Sequence, residues 1–182
     1  MAVLLFLGLL LTDHSMLAAA VFAAALVHEA GHFSAAVCMK IPLRSLKLSL
    51  LGARLRVGRL LSYSEEWLLC VSGPLASLGF ALLLYPLREI AFSELLSQAS
   101  FFLGMLNLLP VRSFDGGRML SAFLCRVANE RAANRILGFC SFFCLFLLWS
   151  MSVYLLLRAG SGLSLLSFSV SLFLRFFDDP EL

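Results

Sequence analysis

About six transmembrane helices, with a small membrane-associated β-hairpin between the second and the third, form the fold that this sequence predicts. Three observations lead there. The composition is 61% hydrophobic and only 14% charged over 182 residues, far from the balance of a soluble domain. Long apolar runs recur between short polar or basic segments. Between Ser45 and Val57 the apolar residues instead alternate with polar ones, which is the period of a strand. The length suits a single membrane domain over residues 1–182, with loops and tails rather than a soluble module.

The elements follow in chain order. Residues 1–11 are apolar but lack a basic leader and a small-residue cleavage site, so they read as a short first span rather than a signal peptide. Such a span either begins before Met1 or crosses only partly against its neighbours. Thr12-Asp13-His14-Ser15 turns the chain into a second span over residues 16–39. In the basic segment that follows, Leu46, Leu48 and Leu50 interleave with Ser45, Lys47 and Ser49. Ala53, Leu55 and Val57 then interleave with Arg54 and Arg56. These runs predict a hairpin over residues 45–57 that turns at Leu51-Gly52, with one apolar and one basic face. A third span covers residues 67–86 and carries Gly73-Pro74, which should disturb its helix. A fourth covers 95–109, an amphipathic basic surface helix 118–135, and two last spans 136–157 and 162–175, before an acidic tail at Asp178, Asp179 and Glu181.

Charge orients the bundle. Of fourteen Lys and Arg residues, all but Arg88 and Arg158 fall on loops and ends that would share one side. Basic residues stay in the cytoplasm, so the hairpin, the amphipathic helix, both termini and the opening of the site are expected there. The formal net charge of +3 fits orientation and contact with the lipid bilayer, not nucleic acid. The five cysteines lack close CxxC pairs and read as packing residues, not a disulfide framework.

Chemistry enters at His28-Glu29-Ala30-Gly31-His32, inside the second span. A helix brings residues four apart onto one face, so both imidazoles can bind one Zn²⁺. Glu29, one step round, is then placed to act on the water that the ion activates. Ionisable groups near a bilayer centre cost about 2.5 to 3.5 kcal/mol each and mark function. The blander alternative is a helix whose histidines merely satisfy backbone or hydroxyl partners. A catalytic zinc site takes three protein ligands and an open position. His14 falls on the wrong side of the membrane, which leaves acids near the cytoplasmic ends of other spans. Among these Asp115 stands out, after Pro110 and before Gly116-Gly117, although an Asp in an ordinary turn before a helix would look the same.

The pair of segments His28-Glu29-Ala30-Gly31-His32 and Asn107-Leu108-Leu109-Pro110-Val111-Arg112-Ser113-Phe114-Asp115-Gly116 resembles the HExxH and NxxPxxxxDG signatures of the site-2 protease family of intramembrane zinc metalloproteases, peptidase family M50. Ser72-Gly73-Pro74-Leu75 lies between them, where that family has a GPxxN-like element. The layout, without PDZ or CBS domains, most resembles the sporulation stage IV FB branch of spore-forming bacteria. Ser77 stands where the family often has Asn, and nucleotide-sensing regulation is not expected.

The resemblance implies a metalloendopeptidase. His28, His32 and Asp115 would hold one Zn²⁺ per chain, and Glu29 would serve as general base and acid. Asn107, Pro110, Gly73, Pro74 and Ser77 would bind or orient the substrate. The hairpin could pair with an unwound substrate as an added strand. Substrates would be membrane-tethered regulators or pro-proteins, with room for an inhibitory or regulatory membrane subunit. Two rivals stand beside this reading. One is a catalytically silent membrane protein that binds clients, which the presence of all four hydrolytic residues disfavours. The other is a metal transporter, which should show internal repeats with interrupted helices, and none is evident.

Overall fold

The computed structural model describes residues 15–41, 43–49, 52–57, 61–159 and 163–177. The first predicted span, the acidic tail and His14 lie outside them. The described residues fall into two compact units divided between Leu108 and Leu109.

In the first unit three helices pack on one another. Helix α1, Ser15–Cys38, is rich in alanine. Its buried face presents Ala18, Ala20, Ala24 and Ala36, whose small side chains let the neighbouring helices approach closely. Ala20 and Ala24 pack with Leu96, and Phe80, Leu84, Ala99 and Leu103 fill in around them. The helix ends in a Schellman motif: Ile41 N–H donates to the Ala36 carbonyl at 2.9 Å and Lys40 N–H to that of Val37 at 3.0 Å. Lys40 takes the left-handed conformation at φ 52°, which costs a non-glycine residue about 1 kcal/mol. Burial of Ile41 against Ala36 and Leu69 accompanies the turn and offsets that cost.

Strands β1, Leu43–Ser49, and β2, Gly52–Val57, pair antiparallel. Leu46 stands opposite Leu55, Lys47 opposite Arg54 and Ser49 opposite Gly52, with an irregularity between Leu43 and Ser45. Gly52 therefore sits in the ladder and not in the turn, where the sequence reading had put it.

Helix α2 spans Tyr63–Leu84. It starts at Ser62, whose N–H donates to the Glu65 carboxylate at 2.9 Å. Pro74 lies within it and has no N–H to give the turn before it. A 3₁₀ turn, Tyr85–Leu87, leads to helix α3, Ala91–Asn107. Leu96, Ser100 and Gly104, each four residues on from the last, make its buried stripe, and Ser97 Oγ donates to the Ala81 carbonyl of α2 at 2.9 Å.

The second unit holds α4, Asp115–Val127, α5, Glu130–Ala159, and α6, Leu163–Phe177. Helix α5 packs against both α4 and α6. Leu145 of α5 and Leu172 of α6 are fully buried, and the Ser152 and Ser169 hydroxyls meet at 3.2 Å where these two helices face each other.

Two expectations need correction. The single amphipathic helix 118–135 is two helices, because Asn129 caps a new one: Ala132 N–H donates to Asn129 Oδ1 at 2.8 Å, while Ala128 is extended. The six-span count is not supported among the described residues either. Among the described residues three helical stretches are long and apolar enough to cross a membrane: Met16–Cys38, Tyr63–Leu87 and Glu130–Arg158. Helices α3 and α6, of 17 and 15 residues, fall short of the roughly 20 that a spanning helix needs, although both are apolar.

Candidate metal centre

Helix α1 projects His28 and His32 from one face, as the four-residue spacing requires, and both side chains are buried, at 5% and 8% exposure. Their rings meet edge to face with centroids 4.9 Å apart. The two Nε2 atoms are 3.3 Å apart. Each Nδ1 faces the other way and has a partner on α2. His28 Nδ1 lies 3.0 Å from Ser77 Oγ. His32 Nδ1 donates to the Leu69 carbonyl at 2.8 Å, which keeps its proton on Nδ1 and turns the Nε2 lone pair into the space between the rings. Ser72 adds a weaker contact at 3.4 Å to the same Nδ1 and donates to the Leu69 carbonyl at 2.6 Å.

This geometry fits a metal. Two nitrogen ligands at about 2.0 to 2.1 Å from a tetrahedral zinc are about 3.3 to 3.4 Å apart. The Nε2 separation of 3.3 Å matches that bite. An Nδ1 engaged by a hydroxyl or a carbonyl is the usual support of a metal-bound histidine, since it holds the tautomer and the ring plane.

Glycines bring α2 close enough to do this. A Cβ on Gly31 would lie 2.6 Å from Ala76 Cβ and 2.7 Å from the Ser72 carbonyl oxygen, so the two helices touch there through backbone. A Cβ on Gly73 would collide with the His32 ring itself. Gly73 and Ser77 thus stand against the imidazoles. Pro74, between them, is fully buried in α2.

Glu29 is half-buried, one position round α1 from His28. Asn107, at the end of α3, donates from Nδ2 to the Leu103 carbonyl of its own helix at 3.0 Å. In the second unit Asp115 is the first residue of α4, half-buried, where the helix dipole favours an anion. The loop before it is held from α5: Arg112 N–H donates to Ser141 Oγ at 3.0 Å, and that hydroxyl donates to the Pro110 carbonyl at 3.3 Å. Gly117 closes the corner, since a Cβ there would run into the Val111 carbonyl.

Sequence reasoning missed the Leu69 carbonyl, Ser72 and Ser141. Only Ser72 had a signal, its place beside Gly73-Pro74. The other two act through a backbone oxygen and through a serine in an apolar helix, and neither stands out in a sequence.

Residues 86–151 match the family model described as Peptidase family M50. No curated protein matches the chain. Among solved structures its fold is similar to that of the Site-2 Protease from Methanocaldococcus jannaschii. The TM-score is 0.67 at 22% sequence identity, over 97% of this chain and 87% of that one. The matched stretch contains Asn107, Pro110 and Asp115, while the histidine pair lies outside it, on the helix whose own geometry was described above. Residues 86–151 are thus similar to peptidase family M50, and the fold is similar to that of a site-2 protease.

Proposed function

We propose that this chain is an intramembrane zinc metallopeptidase that hydrolyses peptide bonds of membrane-tethered regulators or pro-proteins, within or near the bilayer. The observation that carries the reading is the buried imidazole pair, with Nε2 atoms 3.3 Å apart and both Nδ1 atoms engaged by α2. The similarity of residues 86–151 to the M50 family model and the helices long and apolar enough to cross a membrane support it.

His28 and His32 hold the ion through Nε2, and Asp115 is the third ligand, as the NxxPxxxxDG motif implies. Bound there, zinc supplies Lewis acidity that makes a water nucleophilic near neutral pH and polarises a peptide carbonyl. Glu29 takes the proton from the attacking water and returns it to the departing amine, so the acyl carbon gains a hydroxyl as its bond to nitrogen breaks. Ser77 and the Leu69 carbonyl keep the imidazole rings in place through this cycle. Asn107 and Pro110 orient the segment leading to Asp115, and Asn107 also serves substrate backbone through its carboxamide, as the motif implies.

A helical substrate hides its peptide bonds, so the substrate segment must be extended at the cut. The hairpin of β1 and β2 has an edge to which such a segment can add as a further strand. The distribution of Lys and Arg orients the termini and the opening of the site to the cytoplasm. The lack of a PDZ insert within the sequence agrees with the sporulation branch, where an inhibitory or regulatory membrane subunit would control access.

Replacing Glu29 by Gln tests the reading. The variant should keep its zinc and lose at least about a hundredfold in cleavage of a model membrane substrate in proteoliposomes, the scale of a lost general base. Equal cleavage by both proteins overturns the assignment, and zinc retained without cleavage in the wild type would instead support a silent client-binding protein.

A further inference from the structure

The buried stripe of α3 carries one polar group that neither packing nor the hydrolytic residues explain. Ser100 is completely buried between Leu96 and Gly104, and among the described residues its Oγ has no hydrogen-bond partner. A hydroxyl shut away from water in this way bears its full desolvation cost, which an alanine there would avoid. Such a group is accounted for when some arrangement of its neighbours supplies the missing partner.

The contacts on either side of Ser100 show what it faces. Three residues earlier, Ser97 Oγ donates to the Ala81 carbonyl of α2 at 2.9 Å. Four residues later, a Cβ on Gly104 would lie 3.2 Å from Ser77 Cβ. Ser97, Ser100 and Gly104 share one face of α3, so Ser100 faces the turn of α2 that runs from Ser77 to Ala81. That turn bears on the histidine pair, because Ser77 Oγ lies 3.0 Å from His28 Nδ1 and is itself fully buried.

Proton counting then links the two serines. When His28 gives the lone pair of Nε2 to an ion, its proton is on Nδ1 and is donated to Ser77 Oγ. Ser77 is the acceptor in that contact, and its single hydrogen must go to another oxygen. Ser100 offers two lone pairs on the facing helix. Its own hydrogen has an outlet in the Leu96 carbonyl one turn back, the local bond that serines make inside helices.

We propose that Ser100 is a positioning residue for the metal site. By rotation of its short side chain it accepts the Ser77 hydrogen, and so holds Ser77 as the acceptor that keeps the His28 proton on Nδ1. Every hydrogen from His28 Nδ1 through Ser77 and Ser100 to the Leu96 carbonyl is then donated. This role rests on His28 being a zinc ligand through Nε2, as proposed above.

Zinc affinity of the full-length protein in neutral detergent, measured by competition with a chelator, tests it without reference to cleavage. Ser100→Ala should bind zinc about threefold to tenfold more weakly than wild type, the scale of one neutral hydrogen bond. Ser100→Thr, which keeps the hydroxyl, should restore most of the loss. Ser97→Ala removes a hydroxyl from the same face of the same helix, but one that serves the Ala81 carbonyl, and should leave zinc affinity unchanged. The double variant Ser77→Ala/Ser100→Ala should bind zinc as Ser77→Ala does, because Ser100 acts only through the Ser77 hydroxyl. If Ser100→Ala does not fold, Ser100→Cys, close in size but a weak hydrogen-bonding group, makes the same comparisons. Wild-type affinity in Ser100→Ala overturns the proposal and leaves the zinc site standing. Additive losses in the double variant, or an equal loss in Ser97→Ala, also overturn it, since packing alone would produce them. A wild-type protein that binds no zinc would remove the metal-site reading and this role with it.

Discussion

Ser77 Oγ of α2 lies 3.0 Å from His28 Nδ1 of α1, and the serine is completely buried. A residue that the sequence reading had placed at the substrate therefore also touches an imidazole of the proposed metal site. Ser77→Ala should weaken zinc binding by about tenfold or more, the usual effect of losing such a partner. Competition with a chelator measures it. Ser77→Asn tests the geometry separately, because its longer side chain must displace the ring or leave Nδ1 without this contact. Zinc affinity equal to wild type in Ser77→Ala would show that the hydroxyl does not position His28.

Gly73 backs the His32 ring so closely that any Cβ would strike it. Gly73→Ala should cost about 1 to 3 kcal/mol from overpacking, if the helices part, or displace the ring and lose zinc if they do not. Thermal unfolding and metal content together separate the two outcomes. Unchanged stability with unchanged zinc would contradict the packing described for this crossing.

Asp115 begins α4 and is assigned here as the third ligand. Asp115→Asn keeps the shape and removes the charge. Purified variant should retain much less zinc than wild type after dialysis, as read by elemental analysis. A stoichiometry equal to wild type would remove Asp115 from the set while leaving the two histidines in it.

Asn129 separates α4 from α5 by capping the first turn of the latter, with Ala132 N–H on its Oδ1 at 2.8 Å. Asn129→Ala should lower stability by about 1 kcal/mol, and Asn129→Asp should preserve it, since both Asn and Asp cap well. Equilibrium unfolding in mild detergent compares the three proteins. An alanine variant as stable as wild type would mean that the break is held by the connection itself and not by its cap.

How much of this was legible depends on how far apart in the chain the interacting groups lie. The membrane character, the shared face of His28 and His32 and the neighbouring carboxylate of Glu29 follow from composition and from helical geometry alone. Asn129 was also legible in principle, as a capping residue before Glu130, but the amphipathic pattern ran through it and hid the break. The shortness of α3 and α6 was not: apolar runs mark burial in lipid or protein alike, so hydropathy counted them as full spans.

Sequence alone determined that two imidazoles four residues apart would face one way inside an apolar helix, because the turn of an α-helix is a local property. Only tertiary structure decided which nitrogen of each ring faces the other imidazole and which faces the second helix. Those partners, Ser77 and the Leu69 carbonyl, lie 49 and 37 residues along the chain on a second helix. They reach the rings because Gly31 and Gly73 let two backbones meet. Periodicity does not encode that crossing; it is set by close packing between surfaces that lack side chains to hold them apart.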